Sequence, residues 1–331
     1  MESLASLIDA ARPGPLESDV FGTTDAVVVE EVLSSLAVAA TGVEVRAGLW
    51  FRSSVTAVAG VVLDDGREIV VRAYQQSAST VFIDGVVRVQ SHLASAGFPC
   101  ATPLGAPVVV DGVHGRAESM ISDPGSRRFD SWQMALSADG LARLVGLAAG
   151  LDPAGLEVHP MGLPDDELYP TPHSPLFDFP ATAAGADWID EIAAAARVAI
   201  TDREAVVAHG DWSARNIRLG PAGLVCAYDW ESLQYGPESK ALGVAAATWR
   251  SLGEPNEPLA PSAPEIQRYI DLYERARRRP LSENQRRSAC AAAVFALAYT
   301  ARCEHALHPG TREGRASGRL ARDNGLLSLI P

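Results

Sequence analysis

The chain has 331 residues, a net charge of −13 and 47% hydrophobic residues. This composition is typical of a globular protein with room for two domains, and it excludes a largely disordered chain. The negative charge argues against a nucleic-acid partner, and without a long apolar run or a signal-peptide pattern we expect a cytoplasmic protein that does not contact membranes.

The first part of the chain predicts a helical segment followed by a small sheet. Residues 1–42 are rich in Ala, Leu and Val and predict helices that carry no evident chemistry. Residues 43–121 predict a mostly antiparallel sheet, because β-branched runs flank a turn at 64–66 and shorter strands follow later. Apolar residues at helical spacing over 81–96, followed by Gly97, predict one helix packed on this sheet.

Residues 122–331 predict a larger and mostly helical region. A turn cluster at 123–126 is a candidate hinge, and residues 152–181 are irregular and rich in proline. Short apolar strands are predicted at 206–208 and 224–228, and the four scattered cysteines predict free thiols. Helices are predicted at 138–151, 187–200, 239–250, 265–279 and 282–306.

The most informative segment covers residues 206–230, with the sequence VVAHGDWSARNIRLGPAGLVCAYDW. An apolar strand ends at His-Gly-Asp, and Asn216 follows Asp211 after five residues. A second apolar strand ends at Asp229. If the two strands are neighbours in a hairpin, the three polar side chains come together where the chain leaves the core.

These residue types fit phosphoryl transfer from a nucleoside triphosphate. The reaction needs a carboxylate that orients the attacking hydroxyl and accepts its proton, and Asp211 fits this base. Asn216 and Asp229 supply the oxygen ligands that suit Mg²⁺. His209 is predicted to brace the loop rather than to exchange protons. The alternative interpretation is a solvated loop in which the Asp and Asn side chains only cap backbone groups.

The two motifs resemble those of the aminoglycoside phosphotransferase and choline kinase family, which are relatives of protein kinases. H-G-D-x-x-x-x-N at 209–216 and D-W-E at 229–231 correspond to the protein-kinase motifs H-R-D-x-x-x-x-N and D-F-G. Gly210 and the D-W-E sequence favour the small-molecule kinases over the protein kinases.

The resemblance implies an α+β, two-lobed protein-kinase-like fold with a small antiparallel β-rich N-lobe and a larger helical C-lobe. Residues 43–121 would form the nucleotide-binding N-lobe, and residues 122–331 the catalytic and substrate-binding C-lobe. ATP or GTP would be the phosphate donor, Mg²⁺ the cofactor and a small hydroxylated molecule the acceptor. Asp211 would be the catalytic base, and Asn216 and Asp229 would hold the metal.

The N-lobe fits the family pattern less well. A kinase places a cation on the third strand to hold the nucleotide phosphates, and Arg72 occupies that position here. Its usual partner is a helix Glu, but the 81–96 helix offers only Asp84. With no glycine-rich loop, Ser53 and Ser54 are the candidate hydrogen-bond donors to the nucleotide phosphates; the alternative for this segment is an ordinary polar strand turn. Adenine is expected near 118–121, with Met120 against its ring.

The acceptor region and the activity itself leave alternatives open. Acidic and aromatic side chains in 152–181 would suit a cationic acceptor, although a solvated loop has the same composition: Asp165, Asp166, Glu167, Tyr169, Phe177, Asp178 and Phe179. Trp212 and Ser213 face either the acceptor or the core. The unusual N-lobe also allows a second function, a non-catalytic nucleotide-binding pseudokinase with a ligand-binding or regulatory role.

Overall fold

A computed structural model describes residues 3–54, 56–122, 132–158, 167–170, 172, 176–253, 257–310 and 312–330. The chain divides into two compact units, Met1–Asp123 with Asp152–Leu156 and Pro124–Leu151 with Glu157–Pro331. The predicted hinge at 123–126 lies outside the described residues. In the part of the chain that is described, no helix is long and apolar enough to cross a bilayer.

The first unit contains three N-terminal helices, a five-stranded antiparallel sheet and one further helix. Its strands lie in the order β1-β2-β3-β5-β4. The elements are α1 Leu4–Ala11, α2 Pro15–Phe21, α3 Ala26–Thr41, β1 Val45–Ser53, β2 Ala57–Leu63, β3 Glu68–Ala73, α4 Thr80–Ser95, β4 Val108–Val110 and β5 Val113–Ser119. The sequence predicted this sheet and its helix to within a few residues.

The two faces of this sheet differ, because successive side chains of a strand point in opposite directions. One face is buried against α1 and α3, where Ala59 and Val71 share a core with Leu4 and Leu33. The 1–42 segment is therefore part of the core of this unit. The other face carries the remaining cross-strand rows, one of which runs from Arg52 through Val58 and Arg72 to Arg116.

The second unit is mostly helical and has two small sheets. β6, β10 and β7 form a three-stranded sheet, and β8 and β9 form a hairpin. The elements are α5 Gln133–Leu147, β6 Glu157–Val158, α6 Asp187–Ala199, β7 Ala205–His209, β8 Ile217–Gly220, β9 Gly223–Ala227, β10 Leu233–Pro237, α7 Glu238–Thr248, α8 Ala263–Arg277, α9 Glu283–Leu307 and α10 Arg315–Arg322.

The strand pairing in this unit differs from the expected hairpin. β7, which ends at His209, pairs with β10 rather than with β9. β9 pairs with β8, a short strand that the sequence did not predict because a turn follows it after only four residues. The strand order thus differs from the prediction, yet the ends of β7 and β9 still come together through side-chain and backbone hydrogen bonds. All four cysteines are free.

Candidate active site

The loop that follows β7 is fastened by His209. This side chain is fully buried, and its Nδ1 accepts a hydrogen bond from the backbone N–H of Asp211 at 3.2 Å. The ring proton therefore belongs on Nε2, which donates to the carbonyl oxygen of Tyr228 at 2.8 Å. Since both ring nitrogens are used, His209 ties the loop after β7 to the end of β9 and has no nitrogen left for proton transfer.

Gly210 fits the same close packing. A Cβ atom at this position would lie 2.2 Å from Nε2 of Gln234, so any side chain would displace the Gln234 amide. Its backbone N–H donates to the carbonyl oxygen of Ser232 at 2.7 Å, which joins the loop to the start of β10. The glycine of the H-G-D sequence thus lets two neighbouring segments approach each other closely.

Asp211 and Asn216 are in direct contact. The Asn216 amide donates to Oδ2 of Asp211 at 2.8 Å and to its backbone oxygen at 3.0 Å. Arg215 also donates to Oδ2, at 2.9 Å. Among the described residues, no donor reaches Oδ1 of Asp211 and none reaches the side-chain oxygen of Asn216. Both oxygens are therefore available to a ligand, and the Asp211 side chain is 30% exposed.

Asp229 stands immediately after β9 in a left-handed backbone conformation, with φ 60° and ψ 54°. This conformation costs a non-glycine residue about 1–2 kcal/mol, and such strain concentrates at functional sites. Oδ2 of Asp229 accepts a hydrogen bond from the hydroxyl of Ser232 at 2.7 Å. The backbone N–H of Tyr228, its chain neighbour, donates to the carbonyl oxygen of Asn216 at 2.8 Å. The chain thus holds Asn216 next to the residue that precedes Asp229.

Two loop residues that the sequence left open are directed into the core. Trp212 is fully buried, and its indole N–H donates to the carbonyl oxygen of Ser137 on α5 at 2.9 Å. Ser213 is 1% exposed, and its backbone N–H donates to the carbonyl oxygen of Asp211. Neither side chain is accessible to an acceptor, and the Trp212 indole supports the loop through its bond to α5.

The sequence did not single out Arg215 and Ser232, which touch the two carboxylates. Each lies three or four positions after the aspartate it contacts, and this spacing was the available signal. Arg215 is 60% exposed and also donates its backbone N–H to the carbonyl oxygen of Ser251. Ser232 ends the short 3-10 turn Trp230–Ser232, which brings its hydroxyl back to Asp229.

The side chains of Asn216 and Asp229 offer oxygen donors of the kind that Mg²⁺ binds. In the described part of the chain, no cluster of three His, Cys, Asp or Glu side chains could hold a metal ion. One carboxylate and one amide oxygen are the kind of partial ligand set that Mg²⁺ uses, because it keeps several waters and binds substrate phosphates. The residues present therefore fit the metal that the resemblance implies.

In the first unit, Arg72 forms an ion pair with Glu118 of β5, at 3.5 Å between Nη2 and Oε1. Asp84, which the sequence allowed either as a partner of Arg72 or as a solvated charge on the helix face, is exposed on α4 and makes no ion pair among the described residues. Val70, two residues before Arg72, is the cross-strand neighbour of Glu118, so alternation along the strands puts both charged side chains on one face. The Arg72–Glu118 pair could have been predicted from the sequence only with the register between β3 and β5 in hand.

The residues expected to bind the rest of a nucleotide lie on the same unit. Ser53 and Ser54 are exposed at the end of β1, and the N–H of Ser54 donates to the carbonyl oxygen of Thr56 at 3.3 Å. The N–H of Met120 donates to the carbonyl oxygen of Glu68 at 3.2 Å, so this group is engaged in the sheet. Met120 therefore offers a side chain rather than its backbone N–H to a ligand.

Trp50 contributes to the same face as Met120. A Cβ atom on Gly60 would lie 2.4 Å from the indole nitrogen of Trp50 and 2.9 Å from Cε of Met120. The absence of a side chain at Gly60 thus allows an indole and a thioether to lie side by side on the sheet. Both side chains are half-buried, which leaves part of this apolar surface accessible.

The described part of the acidic segment is mainly structural. The hydroxyl of Tyr169 donates to Asp190 at 2.9 Å, and burial together with this carboxylate raises the pKa of Tyr169. Its ring packs edge-on against Phe179. Asp178 accepts a hydrogen bond from the N–H of Ala181 at 2.9 Å and so caps a turn. Glu167 and Phe177 are also described, whereas Asp165 and Asp166 lie outside the described residues.

Solved structures share the fold of this chain. The amicoumacin kinase hAmiN, in complex with AMP-PNP, Ca²⁺ and Ami, has a TM-score of 0.58 and 11% identity over 86% of this chain and 87% of its own. Spectinomycin phosphotransferase APH(9)-Ia, in complex with ADP and spectinomycin, has a TM-score of 0.53 and 11% identity over 91% and 97%. Macrolide 2'-phosphotransferase type I has a TM-score of 0.54 and 16% identity over 90% and 97%.

These similarities confirm the kinase-like α+β fold. No curated protein sequence matches the chain. The model of the APH phosphotransferase enzyme family matches residues 58–281, which include β2 to β5 of the first unit and the whole 209–232 segment of the second. The chain therefore belongs to the APH phosphotransferase enzyme family and is a small-molecule kinase that phosphorylates a hydroxyl group.

Proposed function

We propose that this kinase uses Asp211 as the catalytic base, Asn216 and Asp229 as Mg²⁺ ligands and Arg72 as the anchor for the phosphates of ATP or GTP. The observation that carries the proposal is the Asp211–Asn216 contact, which occupies one oxygen of the carboxylate and leaves the other available. Asn216 uses its N–H₂ group for this contact, and its oxygen is left for a cation. The same hydrogen bond thus leaves Oδ1 of Asp211 for the acceptor hydroxyl and the Asn216 oxygen for the cation.

The acceptor hydroxyl donates to Oδ1 of Asp211, which orients the hydroxyl oxygen toward the γ-phosphorus and takes the proton as the new P–O bond forms. The bond from the γ-phosphorus to the β,γ-bridging oxygen breaks in the same transfer, and the nucleoside diphosphate leaves. Arg215 and Asn216 both donate to Oδ2, so the orientation of the carboxylate is set before the acceptor binds. A Mg²⁺ ion held by Asn216 and Asp229 would neutralise the phosphate charge that develops during transfer. Such positioning is the main contribution of a protein to phosphoryl transfer.

The left-handed backbone of Asp229 supports its assignment as a metal ligand. Ser232 engages Oδ2 and so fixes the rotation of the carboxylate, while Oδ1 meets no donor within the described ranges. Metal-binding side chains typically make a hydrogen bond to a neighbouring residue, and such partners tune the affinity for the metal. The N-lobe residues Ser53, Ser54 and Met120 complete the proposed nucleotide contacts.

The acceptor is proposed to be a small hydroxylated molecule, as in the relatives whose names include amicoumacin, spectinomycin and macrolides. The acidic and aromatic residues of the 152–181 segment give little support for a cationic acceptor. Of the described residues, Asp178 caps a turn, and Tyr169 and Phe179 pack against each other.

Two measurements test this function together. One is thermal unfolding in the presence of nucleotide, and the other is phosphate transfer to a panel of acceptors. Millimolar ATP or GTP with Mg²⁺ should raise the melting temperature, because a ligand that binds only the native state stabilises it. Phosphate transfer should then be screened with amicoumacin, spectinomycin, macrolides, aminoglycosides and choline.

Asp229→Ala should abolish Mg²⁺-dependent transfer, whereas Asp139→Ala, an exposed aspartate on α5, serves as the matched control with unchanged activity. Stabilisation by nucleotide without transfer to any acceptor, in the wild type and in both variants, would favour the pseudokinase alternative. No response to any nucleotide would contradict both functions.

A further inference from the structure

The environment of Arg72 contains a second arginine and a carboxylate that the two share. Arg116 is the direct cross-strand neighbour of Arg72 and lies on the same face of the sheet. Glu118 receives Arg72 on Oε1 at 3.5 Å and Arg116 on Oε2 at 2.8 Å. Each carboxylate oxygen thus faces one guanidinium group, so this carboxylate contacts both arginines at once.

Glu118 is itself held by a buried polar network. Gln90 of α4 donates from Nε2 to Oε2 of Glu118 at 2.9 Å and to the carbonyl oxygen of Ala101 at 2.9 Å. The Gln90 oxygen accepts from Arg116 at 3.0 Å, and Nε of Arg116 donates to the hydroxyl of Tyr74 at 2.8 Å. These bonds fix the carboxylate in one orientation.

The two arginines differ in how far their side chains are buried. The side chain of Arg116 is 1% exposed, whereas that of Arg72 is 12% exposed. Arg116 is enclosed by its bonds to Glu118, Gln90 and Tyr74 and cannot reach a ligand without breaking them. Arg72 is the arginine of the pair that keeps a path to solvent, and Glu118 contacts its guanidinium at 3.5 Å.

We propose that Glu118 is the positioning residue for Arg72 and aims its guanidinium at the phosphates of the bound nucleotide. A strand carboxylate thus does what the family resemblance assigns to a helix glutamate, and α4 contributes the amide of Gln90 instead of an acid. This proposal rests on the proposed role of Arg72 as phosphate anchor. It predicts that the orientation of Arg72 is set within the sheet and does not need a carboxylate on α4.

The test compares ATP with adenosine, which lacks the phosphates that Arg72 would contact. Glu118→Gln should weaken ATP binding at least about tenfold, the scale expected for one hydrogen bond to a charged group, and leave adenosine binding unchanged. Glu68→Gln, the same substitution at an exposed position of β3, is the matched control and should change neither affinity. Isothermal titration calorimetry measures both ligands.

A structural role must be separated from a positioning role, because Glu118→Gln leaves a buried arginine without its charge partner and lowers stability. The double variant Glu118→Gln with Arg116→Met removes both members of that buried pair and should recover melting temperature but not ATP affinity. If ATP affinity returns with stability, Glu118 only neutralises Arg116 and the proposal is overturned.

Arg72→Ala distinguishes failure of this proposal from failure of the proposed function. It should weaken ATP binding, and adding Glu118→Gln to Arg72→Ala should cause no further loss, because coupled residues are not additive. An additive further loss would overturn the positioning role of Glu118. Unchanged ATP affinity in Arg72→Ala would instead remove Arg72 from the nucleotide site and the proposal with it.

Discussion

The 209–232 segment and the Arg72 face of the sheet both hold charged side chains in fixed orientations, but they do so by different means. Asp211, Asn216 and Asp229 are held mainly by residues within five positions along the chain, such as Arg215 and Ser232. Arg72 pairs with Glu118, forty-six residues later, and further partners of Glu118 come from a helix and from its own strand.

This difference explains why one region preserves the family motif and the other does not. A site built from contacts between near neighbours needs specific residues at fixed spacing, so its sequence is recognisable. A site built across strands needs only an acid somewhere on the right face, and many arrangements satisfy that condition. The missing helix glutamate is therefore no sign that the charge pair itself is missing.

The largest expected effect is in the local site. Asp211→Asn should lower kcat about 10²–10⁴-fold, because the amide keeps the contacts to Arg215 and Asn216 but accepts a proton poorly. The affinity for ATP, measured by calorimetry, should stay unchanged. Turnover near that of the wild type would mean that Asp211 only caps the loop, and would remove the base from the proposed function.

Ser232→Ala tests how much the local site depends on its supporting hydrogen bond. Loss of the Ser232–Asp229 bond at 2.7 Å should raise the Mg²⁺ concentration for half-maximal activity about tenfold, as for other partners of metal ligands. A titration of activity with Mg²⁺ measures it, and kcat at saturating Mg²⁺ should recover. An unchanged Mg²⁺ requirement would argue against Asp229 as a ligand.

Arg215→Ala sharpens the comparison between an exposed and a buried arginine–carboxylate pair. Arg215 is 60% exposed, and exposed ion pairs contribute about 0.2–1 kcal/mol, so kcat should fall by no more than about fivefold. Arg215→Lys should restore most of that loss. A decrease as large as that of Asp211→Asn would show that Arg215 acts on the transferred phosphate and not only on the base.

The smallest effect is expected for Asp84→Asn. This acid is exposed on α4, and Arg72 contacts Glu118 in its place, so ATP affinity and melting temperature should match those of the wild type. The comparison with Glu118→Gln is direct, because the two substitutions each remove one candidate partner of Arg72. A loss of ATP affinity in Asp84→Asn would restore the helix acid to the site.

Much of the architecture followed from the sequence. Hairpin turns, β-branched runs and helical periodicity predicted the antiparallel sheet, the helix packed on it and the helices of the second unit. The H-G-D-x-x-x-x-N and D-W-E motifs predicted which polar residues end two apolar strands. These signals are local, since they depend on residues separated by one turn or one strand.

Strand partners and long-range contacts needed the folded chain. Periodicity identifies a strand but not its neighbour, so the pairing of β7 with β10 and the presence of β8 were not predicted. The same limit applied to the partner of Arg72, which depends on the register between β3 and β5. A shift of one residue in that register would turn Glu118 to the opposite face of the sheet.

The sequence by itself determined the family, the order of the two regions and the positions of the three polar residues proposed for the site, because each is encoded in short segments. Only the tertiary structure decided that His209 uses both ring nitrogens to hold the loop, that Trp212 and Ser213 face the core, and that Glu118 pairs with Arg72. These contacts join segments that are distant along the chain. Their geometry depends on how strands and helices pack together, which residue spacing does not specify.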